Sequence, residues 1–424
     1  MQKSLFSEFL GKTFGPLLQR FYEKLNGKKE SPTYLHKVLF PEQYSADGRW
    51  GSLTGYGTSV TADIVSLDSS LPLKKRDSIG KVEGRIPKIG MKKTLNENQM
   101  DEIELLKARG QFDRVRNVLY NDAFKCVEGV EEMKEYLALQ AVSTGAIVVA
   151  DEDKPGIGIR VDFAIDADNQ YGVTNTWDNT AINPLDDIER MIDGARDAGY
   201  SLRYIHMGKL KSKEFLKHPK VIEFYGSYLQ FVGSNIPKPS LAKINEAMNE
   251  EFGVTINVID RTVNFERDGK KTVVDCWNND MVVGTVDLNL GTMTFTDNME
   301  EKYSAKQVDY TKVGSHILVS KYHDVDPIRE FTSSQARVLP VLQDVDSIFY
   351  LNTADAETAT DTQTEGDANI LINGNTVTRE ALITALNNVG VDKASERNKD
   401  ATLQKYYNDL DADNEATVNT ELGI

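Results

Sequence analysis

The chain is short of cysteine, of positive charge and of long hydrophobic runs. Two cysteines in 424 residues, Cys126 and Cys276, cannot build a disulfide framework and suit a reducing compartment. The longest apolar pieces, such as Ala146-Ile147-Val148-Val149-Ala150, fall far short of the roughly 18–20 residues a membrane helix needs, so no membrane span is expected. The start, Met1-Gln2-Lys3-Ser4-Leu5-Phe6, has neither a continuous hydrophobic segment nor a small-residue cleavage site, and secretion is not expected. With 49 Lys+Arg against 65 Asp+Glu the formal net charge is −16. That excludes binding duplex DNA through a general electrostatic attraction. The remaining composition is that of a soluble globular protein with ample chain for a core and length for two or three domains.

Catalytic constellations are also missing. The five histidines, His36, His206, His218, His316 and His323, are scattered, and none stands in a His-Glu-x-x-His arrangement or beside a cysteine pair. There is no Gly-x-Ser-x-Gly elbow and no phosphate-binding Gly-Lys-Ser/Thr loop. Gly156-Ile157-Gly158 lacks the third glycine of a dinucleotide fingerprint. Asp409-Leu410-Asp411-Ala412-Asp413 opens like a calcium loop, but Asn414 stands at the turn glycine and Thr420 at the bidentate glutamate. Asp166-Ala167-Asp168 fails likewise, with Tyr171 at the glycine position. The paired carboxylates Glu131-Glu132 read as the solvated face of a helix. No cofactor, metal site or catalytic residue is therefore expected.

What the sequence does contain is uneven charge and projecting segments. Residues 353–424 hold 14 acidic and 5 basic side chains, more than half of the acidic excess. Residues 71–117 run the other way, with 12 basic against 7 acidic. Residues 4–25 place Leu5, Phe6, Phe9, Leu10, Phe14, Leu17, Leu18, Phe21 and Leu25 at helical spacings, interrupted by Gly11, Gly15 and Pro16. This predicts a broken amphipathic arm that packs on another protein's surface. Residues 48–94 scatter glycines between short β-type runs, the pattern of a long two-stranded excursion that needs a surface to lie on. Phe112, Val115, Leu119, Ala123, Cys126, Val130, Met133 and Leu137 then form one apolar stripe and predict a single long helix. Strands and helices follow without strict alternation, so the class is α+β. Among them are a hairpin over 146–150 and 158–165, a helix over 184–198 capped by Asn183, helices over 212–225 and 240–252, and extended chain over 336–350. Residues 354–367 are acidic and apolar-poor, a linker. Beyond it a two-helix module is expected, from Arg379 to Asn388 and from about Asp400 to Leu410, then a fraying tail.

Three stretches in order carry a resemblance. The first is Glu131-Glu132-Met133, followed by Gln140-Ala141-Val142-x-Thr144-Gly145 and a hairpin through Val161-Asp162-Phe163. The second is Trp177 with Pro184-Leu185-Asp186-Asp187-Ile188. The third is Asp326-Pro327-x-Arg329-Glu330-Phe331-Thr332 before Pro340-Val341-Leu342, with Met281-Val282-Val283-Gly284 some way upstream. Together they resemble the major capsid proteins of lambda-like tailed bacteriophages, over roughly residues 5–353.

The resemblance implies the Hong Kong 97-type capsid fold. Its parts would be an N-terminal arm (1–44), an extended loop (45–94) and a capsid core with spine helix, peripheral and axial domains (95–353). An acidic linker (354–373) and a helix-loop-helix module with tail (374–424) would follow. It further implies a non-enzymatic head protein that assembles into hexamers and pentamers of an icosahedral shell around double-stranded DNA. Scaffolding, portal and decoration proteins would be its partners, and its places would be the virion capsid and, during assembly, the host cytoplasm. Lys74, Lys75, Arg76, Lys92 and Lys93, in the basic part of the excursion, are the candidate subunit contacts. The competing readings are an encapsulin-like shell around cargo and a soluble enzyme with a cryptic acidic site at Asp186 and Asp187.

Overall fold

The computed structural model describes residues 2–10, 14–25, 34–54, 80–150, 158–231, 236–267, 269–356, 369–372, 375–389, 391, 400–408, 410 and 412–422. The apolar stripe becomes one helix of 33 residues, Phe112–Thr144, roughly 50 Å long at about 1.5 Å per residue. Val115, Leu119, Ala123, Cys126, Val130 and Leu137 are buried, Met133 is half-buried, and Phe112 at the first turn is exposed. Gly145 ends the helix in the left-handed region at φ 66°, its N–H donating to the Ala141 carbonyl at 2.9 Å.

The long helix lies across a seven-stranded sheet. The central strand is Ile328–Leu342, paired along one side with Ile317–Val325 and then Gly291–Thr296, and along the other with Lys88–Leu95. Asp309–Val313, Gln2–Lys3 and Glu42–Tyr44 complete it. Ser334 Oγ donates to the Cys126 carbonyl at 2.5 Å and so ties helix to sheet. Small residues permit the close approach. A Cβ on Gly129 of the helix would sit 2.1 Å from the Met91 sulfur.

A second sheet runs Thr255–Ile259, Tyr204–Gly208, Met281–Thr285, Ile348–Ala356 and Gln170–Val173 in that order. It is mixed: the outer pairs are parallel and the two around Met281–Thr285 antiparallel. Helices Pro184–Asp197, Lys209–Lys217, Pro219–Tyr228 and Leu241–Phe252 supply its apolar cover, with Trp177, Met191, Phe215 and Met248 in the core between them. Three of the four two-stranded sheets among the described residues lie in this part of the chain: Arg49–Thr54 with Gly80–Arg85, Ala146–Ala150 with Gly158–Asp162, and Thr262–Arg267 with Lys270–Asp275.

The α+β class holds, and several local expectations are corrected. The helix expected over 212–225 is two helices, because Pro219 has no N–H to continue the first and the His218 ring instead caps the second through Lys220 N at 3.3 Å. The arm packs on its own chain. Phe6, Phe9, Phe14 and Leu18 are buried in the main core, and Tyr120 donates to the Phe9 carbonyl at 2.9 Å. Lys88–Leu95, placed in the extended loop by the sequence, is a strand of the main sheet. Strand Ile348–Ala356 reaches into the expected linker, Ala356 pairing with Val173. Beyond it, the hairpin Asn369–Ile372 with Asn375–Thr378 precedes three helices, Arg379–Asn388, Asp400–Asn408 and Ala412–Leu422, so the expected fraying tail is helical. Thr378 caps the first of them, accepting from Ala381 N at 3.3 Å. This module has its own small core of Ile370, Leu382, Leu386, Leu403, Tyr407 and Val418.

Candidate functional site

The acidic pair of the enzyme reading is structural. Asn183 caps its helix and Pro184 opens it, which turns Asp187 inward, 2% exposed. There it accepts from Thr174 N at 3.1 Å, Thr174 Oγ1 at 3.2 Å and Trp177 Nε1 at 3.0 Å. A carboxylate occupied in this way braces a loop against a helix. Burial drives the His206 imidazole down to about 4, so it is neutral at physiological pH, and it meets Thr285 Oγ1 at 3.0 Å. Burial also raises the Cys126 thiol to about 11 and the Cys276 thiol to about 12, leaving both protonated and unreactive. No group of three or more His, Cys, Asp or Glu arranged to hold a metal occurs among the described residues.

A buried polar cluster lies where the N-terminal segment meets the long helix, and it corrects the reading of Glu131 as solvated. Glu131, Lys134 and Glu135 occupy one helix face, each at most 1% exposed. Lys134 Nζ donates to Glu131 at 2.7 Å. Glu135 accepts from the backbone N–H groups of Leu35 and His36, both at 3.0 Å, and lies 2.7 Å from His36 Nδ1. His36 Nε2 is 3.4 Å and Lys37 Nζ 3.5 Å from the outer Glu131 oxygen. Burial alone would raise the Glu131 carboxyl, but Lys134, His36 and Lys37 outweigh it and hold it well below the usual carboxylate range. The next residue, Glu132, accepts from Tyr34 at 2.9 Å and from Arg261 at 2.5 Å. Nothing in the apolar periodicity foretold this cluster. The only signal was charged residues on the buried side of a helix whose apolar stripe is narrow.

The predicted contact residues fall into two groups. Lys74, Lys75 and Arg76 lie outside the described residues. Lys92 and Lys93 sit on strand Lys88–Leu95 and engage their own chain. The Lys92 ammonium lies over the Phe331 ring, 4.3 Å from its centroid, and Lys93 is 3.6 Å from Asp122 of the long helix. No helix among the described residues is long and apolar enough to cross a membrane.

The phage major capsid protein E family is matched over residues 22–352. The chain belongs to that family. It is a phage capsid protein, a shell subunit that associates with copies of itself and resides in the virion capsid, and the cargo-shell and enzyme readings are not favoured. The matched range takes in the long helix and both large sheets apart from the edge strand Gln2–Lys3 and the last residues of Ile348–Ala356, and it stops short of the C-terminal module. No curated protein matches the chain. Solved structures similar to it include three of phage and particle proteins. A prophage protein of Escherichia coli CFT073 is 14% identical with a TM-score of 0.47, over 83% of this chain and 99% of that one. The capsid of cyanophage A-1(L) is 12% identical with a TM-score of 0.47, over 78% and 96%. A virus-like particle from Pyrococcus furiosus is 11% identical with a TM-score of 0.37, over 80% and 99%.

Proposed function

We propose that this protein is the non-enzymatic head subunit of a tailed phage, assembling in the host cytoplasm as hexamers and pentamers of an icosahedral shell around double-stranded DNA. Scaffolding, portal and decoration proteins are its assembly partners. The family match over residues 22–352 carries the reading. The long helix with the main sheet serves as spine and peripheral domain, the second sheet with its helices as axial domain. The two-stranded hairpins are rooted in the main core through Trp50, Ile147 and Val263, which leaves their other faces for neighbouring subunits. Electron microscopy of protein co-expressed with its scaffold tests this directly: uniform closed shells are expected, and small soluble oligomers refute it.

The basic residues Lys74, Lys75 and Arg76 contact an acidic surface of a neighbouring subunit. Replacing all three by Glu weakens assembly, and the defect is largest at low ionic strength, where exposed charges are least screened. Wild-type shell yield from the variant across a salt series refutes the contact.

The acidic C-terminal module is an appendage with its own core, outside the family match. Because strand Ile348–Ala356 completes the second sheet, the cut that spares the shell falls after Ala356. Deleting residues 357–424 leaves shell assembly intact. The full-length subunit, with its −16 charge, shows negligible duplex-DNA affinity at physiological salt. A truncated protein that cannot close shells, or DNA binding with a steep salt slope, contradicts this.

A further inference from the structure

The N-terminal segment from Tyr34 to Tyr44 reaches the long helix through groups buried on both sides. His316, in the turn between strands Asp309–Val313 and Ile317–Val325, closes the far side of that seat at 1% exposure. Ser315 Oγ donates to Glu42 of the segment, so its single proton is used, and His316 Nδ1, 2.9 Å from that oxygen, must itself donate to it. The ring is therefore the Nδ1–H tautomer, and its buried Nε2 meets no partner. A proton added at Nε2 would find no acceptor.

We propose that His316, Glu42 and the Glu131–Lys134–Glu135–His36 cluster form a proton-sensitive clasp that seats residues 34–44 on the long helix and releases them, edge strand Glu42–Tyr44 included, on mild acidification, with the second sheet and the central strands of the main sheet still folded.

The charged and titratable neighbours come from every packed element. The long helix contributes Glu131, Glu132, Lys134 and Glu135, and the segment contributes Tyr34, His36, Lys37 and Glu42. Helix Phe14–Lys24 brings Tyr22, donating to Glu42 at 3.4 Å. Arg261 bonds Glu132, and Lys312 pairs with Glu301 and Asp297 beside the turn. Burial, and then Lys134, hold His316 well below the ordinary histidine range despite the opposing pull of Glu131. The seated ring stays neutral while a released ring takes up a proton below about pH 6.5, so acid favours release. Glu131, held ionised by its cations, does not titrate in that mild range.

Hydrogen exchange on the full-length unassembled subunit tests this, so the result does not depend on shell formation. The amides of Leu35 and His36, which donate to Glu135, report the seat. After correction for the intrinsic pH dependence of exchange, peptides covering 34–44 lose protection about tenfold or more between about pH 7.5 and about pH 5. Peptides over 281–285 and 348–353, in the second sheet, keep theirs. His316→Gln, neutral at both pH values, retains protection at the lower one. Unchanged wild-type protection, simultaneous loss in the second sheet, or a His316→Gln variant as acid-labile as the wild type each overturns the clasp.

Discussion

Val127→Asp removes on the order of 5 kcal/mol of folding stability, a cost confined to mechanisms such as burying an unpaired charge. Val127 is 0% exposed in the middle of the long helix, within the main core. The substitution forfeits the side chain's own burial, roughly 1.5–3 kcal/mol. It also puts a carboxyl into apolar surroundings with no donor one turn away. The residue four positions on is Glu131, itself buried and ionised, so the new group meets a like charge and not a partner. Val127→Ala keeps the polarity and loses only volume, and costs about 2 kcal/mol. Chemical denaturation of the soluble subunit measures both. An aspartate variant within about 1 kcal/mol of wild type would show that this helix face is not packed as the fold requires, since exposed substitutions stay near that range.

The long helix was legible because an apolar step of three and four residues leaves one stripe, and a single rigid element is the local solution that buries it. Asn183 and Thr378 were legible as caps for the same local reason: a side-chain oxygen just before a helix satisfies an otherwise unpaired N–H. Strand Ile317–Val325 was not. Its first seven residues are all buried, Ser320, Lys321 and His323 among them, so neither alternation nor an apolar run marks it. Lys321 can lie there because its ammonium donates to the Leu119 carbonyl at 2.9 Å, a contact between residues two hundred positions apart. The arm was misjudged for a related reason. Periodicity shows that Phe6, Phe9 and Phe14 need cover but not which surface supplies it, and the long helix of the same chain does. The charged cluster at the N-terminal seat was hidden most completely. Glutamates and lysines on a helix read as solvated until tertiary structure brings backbone donors and counter-charges to them.

That cluster yields the other large effect. Lys134→Ala destabilises the protein by about 3–5 kcal/mol, the usual result of removing one partner from a buried ion pair. The lysine is 1% exposed and its ammonium is the nearest counter-charge to Glu131, at 2.7 Å. Without it, the Glu131 carboxylate keeps only the 3.4 and 3.5 Å contacts to His36 and Lys37. The attraction that offsets its desolvation is then mostly gone. Glu131→Gln in the same background removes the stranded charge, and the double variant Glu131→Gln/Lys134→Met also fills the lysine's volume with an unbranched apolar chain. Replacing both members of a buried pair in this way costs little or even stabilises. The double variant should therefore recover most of the loss, with a coupling energy of about 1–3 kcal/mol between the two positions in a double-mutant cycle. The cycle separates two sources of the effect. If both single losses simply add, Lys134 acts through its packed aliphatic stem. If Glu131→Gln/Lys134→Ala is more stable than Lys134→Ala alone, the charge left on Glu131 is what destabilises the seat.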